Sequence, residues 1–406
     1  MTTHSIESFA GCADALRKND LRQALYDEGA VLMEKVLVNL HGSEHRERRQ
    51  AEAKVFRKDF FHYYEKQVLP QTLQETIAPF VKAGKADLVD LGYRIMMNLT
   101  ADFTGIDRPE RSAEETGHLL RLLRSLGLAA TVGQSKAEDK APIKAQIKAA
   151  IDEFDARFFT PSIARRQKLL DDVAAGKADE DDLPRDVMTV LLQARDKLKL
   201  PRYDMLREAA FFSLAGAHTS IHSLSHAMHE IFEWVKKHPQ DKTRLRDDPF
   251  FVQRCVHESL RLHPSSPIAK RRSLCPVHVE DAPDIATADE VVINLWAANR
   301  DPSMFGPDAA AFNPHRDIPK NQNPYGLSMG LGMHACLGRN LAVGVVPKAG
   351  ADPETHHYGT VPLIVAALLR CGALPDPEDT PRKDETIARI MWAYYPIIFK
   401  PEDALL

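Results

Sequence analysis

Apolar residues that recur every three or four positions dominate this chain and restrict it to a mainly helical fold. The pattern is strongest over 204–237 and 250–262. A third helical stretch, 143–170, contains Pro161, which predicts a break or kink. Strand signals are short, at 277–280, 290–295 and 397–399. Helices between a few short strands predict a single, mainly α domain with small β-sheets over 1–406.

Composition excludes several classes of protein. The 406 residues carry 53 basic and 57 acidic side chains, and the net charge of −4 lacks the basic excess of a nucleic-acid-binding protein. No apolar run in the sequence reaches the roughly 18 residues needed to cross a bilayer. The N-terminal segment has neither the basic nor the apolar part of a secretory signal. The sequence predicts a cytoplasmic protein of bacterial type with no nucleic-acid or membrane partner.

The cysteine pattern argues against disulfides and zinc. The cysteines are Cys12, Cys255, Cys275, Cys336 and Cys371. Their number is odd, their spacing is wide, and no Cys-x-x-Cys pair occurs. One functional cysteine and four small buried hydrophobic residues is the simplest interpretation.

The functional cysteine is Cys336, in the run MGLGMHACLGRNLA at 329–342. Gly330 and Gly338 on either side allow the backbone to approach a flat ligand. A helix beginning near Leu337 would direct its positive end at the sulfur and favour the thiolate over the thiol. Such a thiolate is suited to ligate iron, and in haem it pushes electron density onto the metal.

This run resembles the haem-ligand loop of the cytochrome P450 family, Phe-Gly-x-Gly-x-His/Arg-x-Cys-x-Gly-x-x-Leu-Ala. Only the first position departs, with Met329 in place of the aromatic residue that shields the sulfur. The resemblance covers about 10–400 and is sharpest over 205–342. It implies the family fold, haem b with Cys336 as its axial thiolate ligand, and a haem-thiolate monooxygenase.

The resemblance also implies a structural triad behind the cysteine loop. Glu258 and Arg261 match the family's Glu-x-x-Arg pair, and a spacing of three places them on one helix face. Arg316 matches the third partner. The planar guanidinium groups suit a buried carboxylate, and the triad would hold the loop that presents Cys336.

The haem propionates need partners that carry positive charge. His45 and Arg49 match the family's His-x-x-x-Arg pair, although a solvated basic helix face is the alternative. His334 stands at the position of the cation in the cysteine loop. Arg271 is chosen from the basic run 270–272, because neighbouring side chains of an extended segment point to opposite sides.

The run Ala215-Gly216-Ala217-His218-Thr219 resembles the family's oxygen-side motif, Ala/Gly-Gly-x-Asp/Glu-Thr. Gly216 would leave space for oxygen and for a helix distortion, and Thr219 would assist oxygen activation. His218 replaces the usual acid, and imidazole titrates near neutrality. It either delivers protons with Thr219 or bonds to a neighbouring helix without a proton role. The histidine stripe that continues at 222 and 226 is expected to line water or loops rather than a metal.

Substrate contacts follow from the resemblance alone. The implied lining residues are Phe212, Ala215, Ser266, Ile268, Trp392 and Tyr394. A mainly apolar lining fits a hydrophobic small molecule of terpenoid, steroidal, aromatic or polyketide type. An ordinary hydrophobic core explains each of these residues equally well.

Two segments depart from the family pattern. Only about 40 residues precede the segment 40–49, so the first helix and much of the larger sheet are expected to be missing or replaced over about 1–45. Pro347 cannot continue the helix after the cysteine, which predicts an inserted loop at 347–360 and an interrupted last helix.

The chain has no flavin or iron–sulfur motif, so a monooxygenase of this type would use dioxygen and a separate ferredoxin-type redoxin with its NAD(P)H reductase. An acidic redoxin would dock near Arg339 and Lys348. One alternative is a peroxide-driven peroxygenase or haem isomerase. It is favoured by His218 in place of an acid, and opposed by Thr219 and by the expected absence of a charged distal arginine. A haem-binding sensor or accessory protein without catalysis is a third possibility.

Overall fold

A computed structural model describes residues 2–400, most of which are helical. The helices are α1 (Phe9–Arg17), α2 (Ala30–Met33), α3 (Gly42–Glu52), α4 (Lys58–Tyr63), α5 (Leu69–Ala83), α6 (Leu88–Thr104), α7 (Ala113–Gly127), α8 (Ala141–Phe154), α9 (Thr160–Ala174), α10 (Val187–Leu198), α11 (Arg202–Lys237), α12 (Lys242–Asp247), α13 (Pro249–Leu262), α14 (Leu295–Ala298), α15 (Pro302–Phe305), α16 (Arg339–Val343) and α17 (Thr360–Arg370). No helix of residues 2–400 is both long and apolar enough to cross a membrane.

The strands are short. They are β1 (Thr3–Ile6), β2 (Leu21–Gln23), β3 (Lys85–Asp87), β4 (Ile268–Ser273), β5 (Glu290–Asn294), β6 (Ala373–Pro375), β7 (Arg382–Lys383), β8 (Trp392–Tyr394) and β9 (Pro396–Phe399). They form a four-stranded sheet in the order β1-β5-β4-β2, a three-stranded sheet β3-β9-β6 and the pair β7-β8. The expected mainly α fold with small sheets is confirmed.

The N-terminal segment corrects one expectation. It contributes β1, which pairs parallel with β5, and β2, which pairs antiparallel with β4. Both edges of the largest sheet therefore come from a segment that was expected to lack much of it. Helix α1 lies between these strands, and its apolar face joins a second hydrophobic core with the inner face of the sheet.

Helix α11 is the central element of the main hydrophobic core. A Cβ atom on Gly216 would lie 2.7 Å from Cγ2 of Thr100, so glycine lets α11 pass close to α6. Near the start of α11, Glu208 forms a buried ion pair with Arg48 of α3, with 2.6 Å between Oε2 and Nη1. The same carboxylate accepts the Leu37 N–H. These contacts fix α11 relative to α3 and α6.

Several helix ends follow from simple signals. Asp87, Ser112, Asp186 and Asp248 each cap a helix by accepting a backbone N–H from its first turn. The predicted break near Pro161 is a π-helical turn at Asp155–Phe159, directly before α9. The predicted strand at 277–280 is only a single bridge between Val277 and Ile285.

Candidate active site

The cysteine loop is a tight turn in which Cys336 as a whole residue is exposed. The Cys336 N–H donates to the Met329 carbonyl at 2.8 Å. Gly330 and Gly332 have φ angles of 64° and 65°, which favour glycine. A Cβ atom on Gly332 would lie 2.7 Å from the Leu16 carbonyl oxygen. Glycine therefore allows the loop to close while it packs against α1.

The electrostatics of Cys336 differ from the expectation. Protein atoms surround the sulfur on most sides, and this burial raises the pKa of the thiol. The Gly338 N–H and the charges of Arg49 and Arg339 lower this pKa, but by less. Helix α16 begins at Arg339 and has only five residues. In the protein alone desolvation outweighs these contributions, whereas a metal bound to sulfur deprotonates it directly.

Glu258, Arg261 and Arg316 form one buried hydrogen-bonded group. Glu258 accepts two hydrogen bonds from Arg261, from Nε at 2.8 Å and from Nη2 at 2.7 Å. It also accepts one from Nε of Arg316 at 3.1 Å. Each guanidinium donates further to backbone carbonyls, including those of Ala309 and Phe305. The buried charges are thus paired and bonded, as a stable buried ion pair requires.

Asn299, which the sequence analysis did not single out, joins this group to the cysteine loop. Its Nδ2 donates to the Arg261 carbonyl at 2.9 Å, and its Oδ1 accepts the Leu327 N–H at 2.8 Å. Ser328 donates to the Leu260 carbonyl at 2.6 Å. Leu327 and Ser328 directly precede Met329, so these bonds connect the triad to the start of the cysteine loop and support the loop from behind. The run Ala298–Pro302 was the available sequence signal for Asn299, but a sequence run does not show the direction of the Asn299 side-chain amide.

His45 and His334 come together beside the cysteine loop. Their ring centroids are 4.7 Å apart in an edge-to-face arrangement. The Nε2 atom of each ring is buried and has no hydrogen-bond partner among residues 2–400. Burial lowers the pKa of His45 to about 4 and that of His334 to about 3. Both rings are therefore neutral at pH 7, contrary to the expected cations, and each can still donate one N–H.

Arg49 and Arg271 lie near this pair. Arg49 donates from Nη2 to the carbonyl of Ala335, the residue before the cysteine, at 2.7 Å. Arg271 is buried and donates to Oε1 of Gln23 at 2.8 Å. Its charge contributes to the lowered pKa of His334. The alternation along β4 directs Arg271 inward, away from the side of its two basic neighbours.

Thr219 lies in the middle of α11 and is nevertheless exposed, while Ala217 and Ser220 are buried. Its hydroxyl donates to the Ala215 carbonyl at 2.7 Å. The exposure of Thr219 indicates open space beside α11 at this point, and this space is called the cleft below. Gly216 faces Thr100 of α6, and α11 is continuous from Arg202 to Lys237, without the expected helix distortion.

Both ring nitrogens of His218 are hydrogen-bonded to neighbouring helices. Nε2 lies 3.0 Å from the Leu123 carbonyl of α7, and Nδ1 lies 2.6 Å from the Tyr93 hydroxyl of α6. A carbonyl only accepts, so Nε2 carries the proton and Nδ1 accepts from Tyr93. Burial lowers the pKa of His218 to about 4. A Cβ atom on Gly127 would lie 2.0 Å from Nε2, so glycine makes room for this ring.

The histidine stripe continues along α11 at His222 and His226, whose ring centroids are 4.5 Å apart. Nε2 of His222 lies 3.2 Å from the His263 carbonyl, and Nε2 of His226 lies 3.3 Å from the Ile390 carbonyl. Within residues 2–400 no group of three His, Cys, Asp or Glu side chains could hold a metal ion. The stripe bonds to the backbone of neighbouring loops.

The residues predicted to line a substrate pocket differ in their surroundings. Phe212 packs with Phe211 at 5.5 Å between ring centroids. Ala215, Ser266 and Ile268 are partly buried. The Trp392 ring packs on His229 of α11 at 5.1 Å. Tyr394 donates to the partly buried Asp379 at 2.7 Å, and the exposed Arg382 stacks on its ring at 4.1 Å.

Comparison with known proteins now identifies the family. The model of the family described as cytochrome P450 matches residues 141–344, just over half of the chain. The chain belongs to the cytochrome P450 family. Its fold agrees with the crystal structure of CalO2, with a TM-score of 0.73 and 20% identity, covering 98% of this chain and 90% of that chain. A structure of P450BioI in complex with an acyl carrier protein ligated by hexadec-9Z-enoic acid is also similar, with a TM-score of 0.71 and 16% identity. The match covers 98% of this chain and 92% of that chain.

Curated relatives of this cytochrome P450 match over shorter stretches. The biotin biosynthesis cytochrome P450 of Bacillus subtilis (strain 168) is 30% identical over 159 residues, which are 39% of this chain and 37% of that protein. Cytochrome P450 71A12 of Arabidopsis thaliana is 26% identical over 316 residues, 70% of this chain and 61% of that protein. The chain therefore spans less than two thirds of the length of these relatives.

The residues present fit the family's cofactor, haem b held by a cysteine thiolate. Cys336 is an exposed residue on a loop that is fixed from behind. The orphaned Nε2 atoms of His45 and His334 are suitable donors for the carboxylates of the propionates. Arg49 and Arg271 add two guanidinium groups close to the same place.

The C-terminal segment places one arginine, Arg389, near α11, and the sequence analysis did not single it out. The carbonyl of the next residue, Ile390, lies 3.3 Å from Nε2 of His226 on α11. The charge of Arg389 contributes to the lowered pKa values of His218 and His222 on the same helix. The available signal was one charge within the otherwise mainly apolar run 387–392.

Proposed function

We propose that this cytochrome P450 is a haem-thiolate monooxygenase that hydroxylates a hydrophobic small molecule of terpenoid, steroidal, aromatic or polyketide type. The observation that carries this proposal is the exposed residue Cys336 on a loop supported by the buried triad. Haem b, when bound, supplies the oxygen binding and redox chemistry that amino-acid side chains lack. In this proposal Cys336 is its axial ligand, and His45, His334, Arg49 and Arg271 hold its propionates.

Thr219 is the residue of this chain that would act on the reacting oxygen. Its hydroxyl is exposed to the cleft, and its hydrogen bond to the Ala215 carbonyl orients the oxygen lone pairs outward. The bonds of His218 to α6 and α7 support a positioning role for this residue, because no N–H of the neutral ring remains free. In this proposal water bound at Thr219 delivers the protons, a task that the acid at position 218 would perform in the family's usual motif.

Electrons would come from a separate ferredoxin-type redoxin with an NAD(P)H reductase. The sequence of this chain contains no flavin or iron–sulfur motif of its own. Arg339 lies directly after the cysteine loop, and Lys348 is exposed in the loop that follows α16. These two cations would attract an acidic redoxin to the proximal surface.

A peroxide-driven reaction is the second candidate, and the bonding of His218 favours it. Both of its ring nitrogens are engaged by Tyr93 and Leu123, so this residue does not replace the usual acid as a proton relay. The retained Thr219 remains the argument for activation of dioxygen.

Turnover assays separate the candidates. The holoenzyme is supplied either with redoxin, reductase, NAD(P)H and dioxygen, or with hydrogen peroxide alone, and products are followed by mass spectrometry. Products in the first assay support the monooxygenase, and products only in the second support the peroxygenase. Bound haem without turnover or a ligand-induced spectral change across a broad substrate panel would contradict both and favour a sensor.

A further inference from the structure

Arg389 is a partly buried cation without an acidic partner. Its Nε lies 3.3 Å from the amide oxygen of Gln134, which is a neutral acceptor. No carboxylate among residues 2–400 forms an ion pair with this guanidinium. Arginine stays charged in proteins, and an uncompensated charge away from water is costly. The desolvation is visible in a lowered pKa of Arg389.

The backbone around Arg389 is fixed, so the side chain is held in place. Ser135 and Ile387 form an antiparallel bridge. The Ala388 N–H donates to the Gln134 carbonyl at 2.9 Å. On the other side, His226 of α11 lies 3.3 Å from the Ile390 carbonyl. The segment is thus anchored both to the loop after α7 and to the central helix.

The position of Arg389 separates it from the proposed propionate partners. The charge that acts on His334 is that of Arg271, whereas Arg389 acts on His218 and His222. His218 is the neighbour of Thr219 along α11. The segment that carries Arg389 also packs along α11, through His226 to the Ile390 carbonyl and through His229 to the Trp392 ring. Arg389 therefore lies beside the helix that carries Thr219.

We propose that Arg389 binds a carboxylate on the substrate, so that the substrate is an apolar organic acid. With Nε bonded to Gln134, the two Nη groups remain as a planar fork that matches the two oxygens of a carboxylate. One guanidinium balances a single negative charge, which favours a carboxylate over a phosphate dianion. The exposed Ile390 and the partly buried Trp392 of the same segment would offer apolar surface to the rest of the substrate. This inference rests on the proposed function and narrows its substrate class.

The test compares acids with their esters on the holoenzyme. Hexanoic, dodecanoic, hexadecanoic and phenylacetic acid and their methyl esters are titrated, and dissociation constants are obtained from the shift of the haem absorption band and from calorimetry. At least one acid is expected to bind about 10- to 100-fold more tightly than its ester, as charge-assisted hydrogen bonds in a desolvated site allow. Arg389→Gln should abolish this preference, and Arg389→Lys should retain part of it.

Arg382→Gln is the matched control. It removes the same charge from the same C-terminal segment, but Arg382 is exposed and paired with Asp379. It should leave the preference for acids unchanged. Equal binding of acids and esters by the wild type, a preference that survives Arg389→Gln, or no binding of any acid would overturn the inference.

Two further readouts separate this inference from other failures. Haem content of Arg389→Gln and Arg389→Lys is compared with that of the wild type. Loss of haem in folded variants would assign Arg389 to the cofactor's carboxylates and overturn the inference. The carbon-monoxide difference band of the wild type tests the proposed function separately, and a preserved band with no preference for acids refutes only the role of Arg389.

Discussion

At the scale of single residues, the position of His218 could be predicted from the sequence, but its hydrogen bonds could not. The family motif located the residue and showed that it replaces an acid. Its bonding could not be predicted, because its partners Tyr93 and Leu123 lie 125 and 95 residues away in the sequence. The same limit applies to Arg389, whose neighbours on α11 are more than one hundred residues distant. Motifs identify such residues, and the packing of helices decides what they do.

His218→Gln should retain most of the catalytic activity. The glutamine amide can donate to the Leu123 carbonyl and accept from Tyr93, so the contacts between helices survive without a titrating group. We expect kcat within about threefold of the wild type, whereas loss of a general acid or base costs about 100-fold or more. His218→Leu, which removes both hydrogen bonds, is the control for packing. A large loss of kcat in His218→Gln with an unchanged fold would instead support the hypothesis that His218 relays protons.

The same variant should change the pH dependence of stability. Burial lowers the pKa of His218 to about 4 in the folded protein, against about 6.5 in the unfolded chain. Between these values the unfolded state binds more protons, so stability falls as the pH falls through this window. The apparent Tm of the wild type should therefore drop more than that of His218→Gln between about pH 7 and pH 5. Parallel Tm curves for the two proteins would show that His218 is not buried as described.

At the scale of elements, the loop between α16 and α17, predicted as an insertion, has a fixed base. Pro347 predicted the break in the helix, but not the contacts that hold the loop. Gln253 of α13 donates to the Val343 and Tyr358 carbonyls, each at 3.0 Å. The buried carboxylate of Glu65 accepts the N–H groups of Tyr358 and Gly359. Such contacts join distant segments, so no local pattern in the sequence reveals them.

Gly344→Ala should destabilise this base strongly. Gly344 has a φ of 74°, and a Cβ atom there would lie 2.3 Å from backbone atoms of Tyr358. We expect a loss of about 3 kcal/mol or more, measured as a lower apparent Tm and lower haem content.

Gly350→Ala is the matched control for this prediction. Gly350 has a φ of 76°, but no atom lies within 4 Å of the added Cβ. Only backbone strain remains, at a cost of about 1 kcal/mol. Equal effects of the two substitutions would show that the packing of the loop base is unimportant.

At the scale of the whole molecule, the long amphipathic helices were predictable and the assembly of the sheet was not. The 3.6-residue period of apolar side chains in α11 and α13 is a local pattern that can be recognised from consecutive residues. The parallel pairing of β1 with β5 joins residues 287 positions apart, Thr3 and Glu290, and short strands carry little periodic signal. The buried triad provides the corresponding long-range support for the cysteine loop.

Glu258→Ala should weaken the whole haem-side half of the molecule. It leaves the buried Arg261 and Arg316 without their carboxylate, which costs about 3–5 kcal/mol. The apparent Tm and the haem content should both fall. Asp247→Ala removes an exposed carboxylate paired with Arg246, where a loss of at most about 1 kcal/mol is expected. A Glu258→Ala protein as stable as the Asp247→Ala protein would contradict the structural role of the triad.

The carbon-monoxide difference spectrum of the reduced protein tests the central claim most directly. The wild type and Cys275→Ser, which alters an exposed cysteine outside the cysteine loop, should both show the band that gives the family its name. Cys336→Ser should lose this band even where haem is retained, because the thiolate ligand is gone. A wild-type protein that binds haem without this band, or a Cys336→Ser protein that keeps it, would contradict the account.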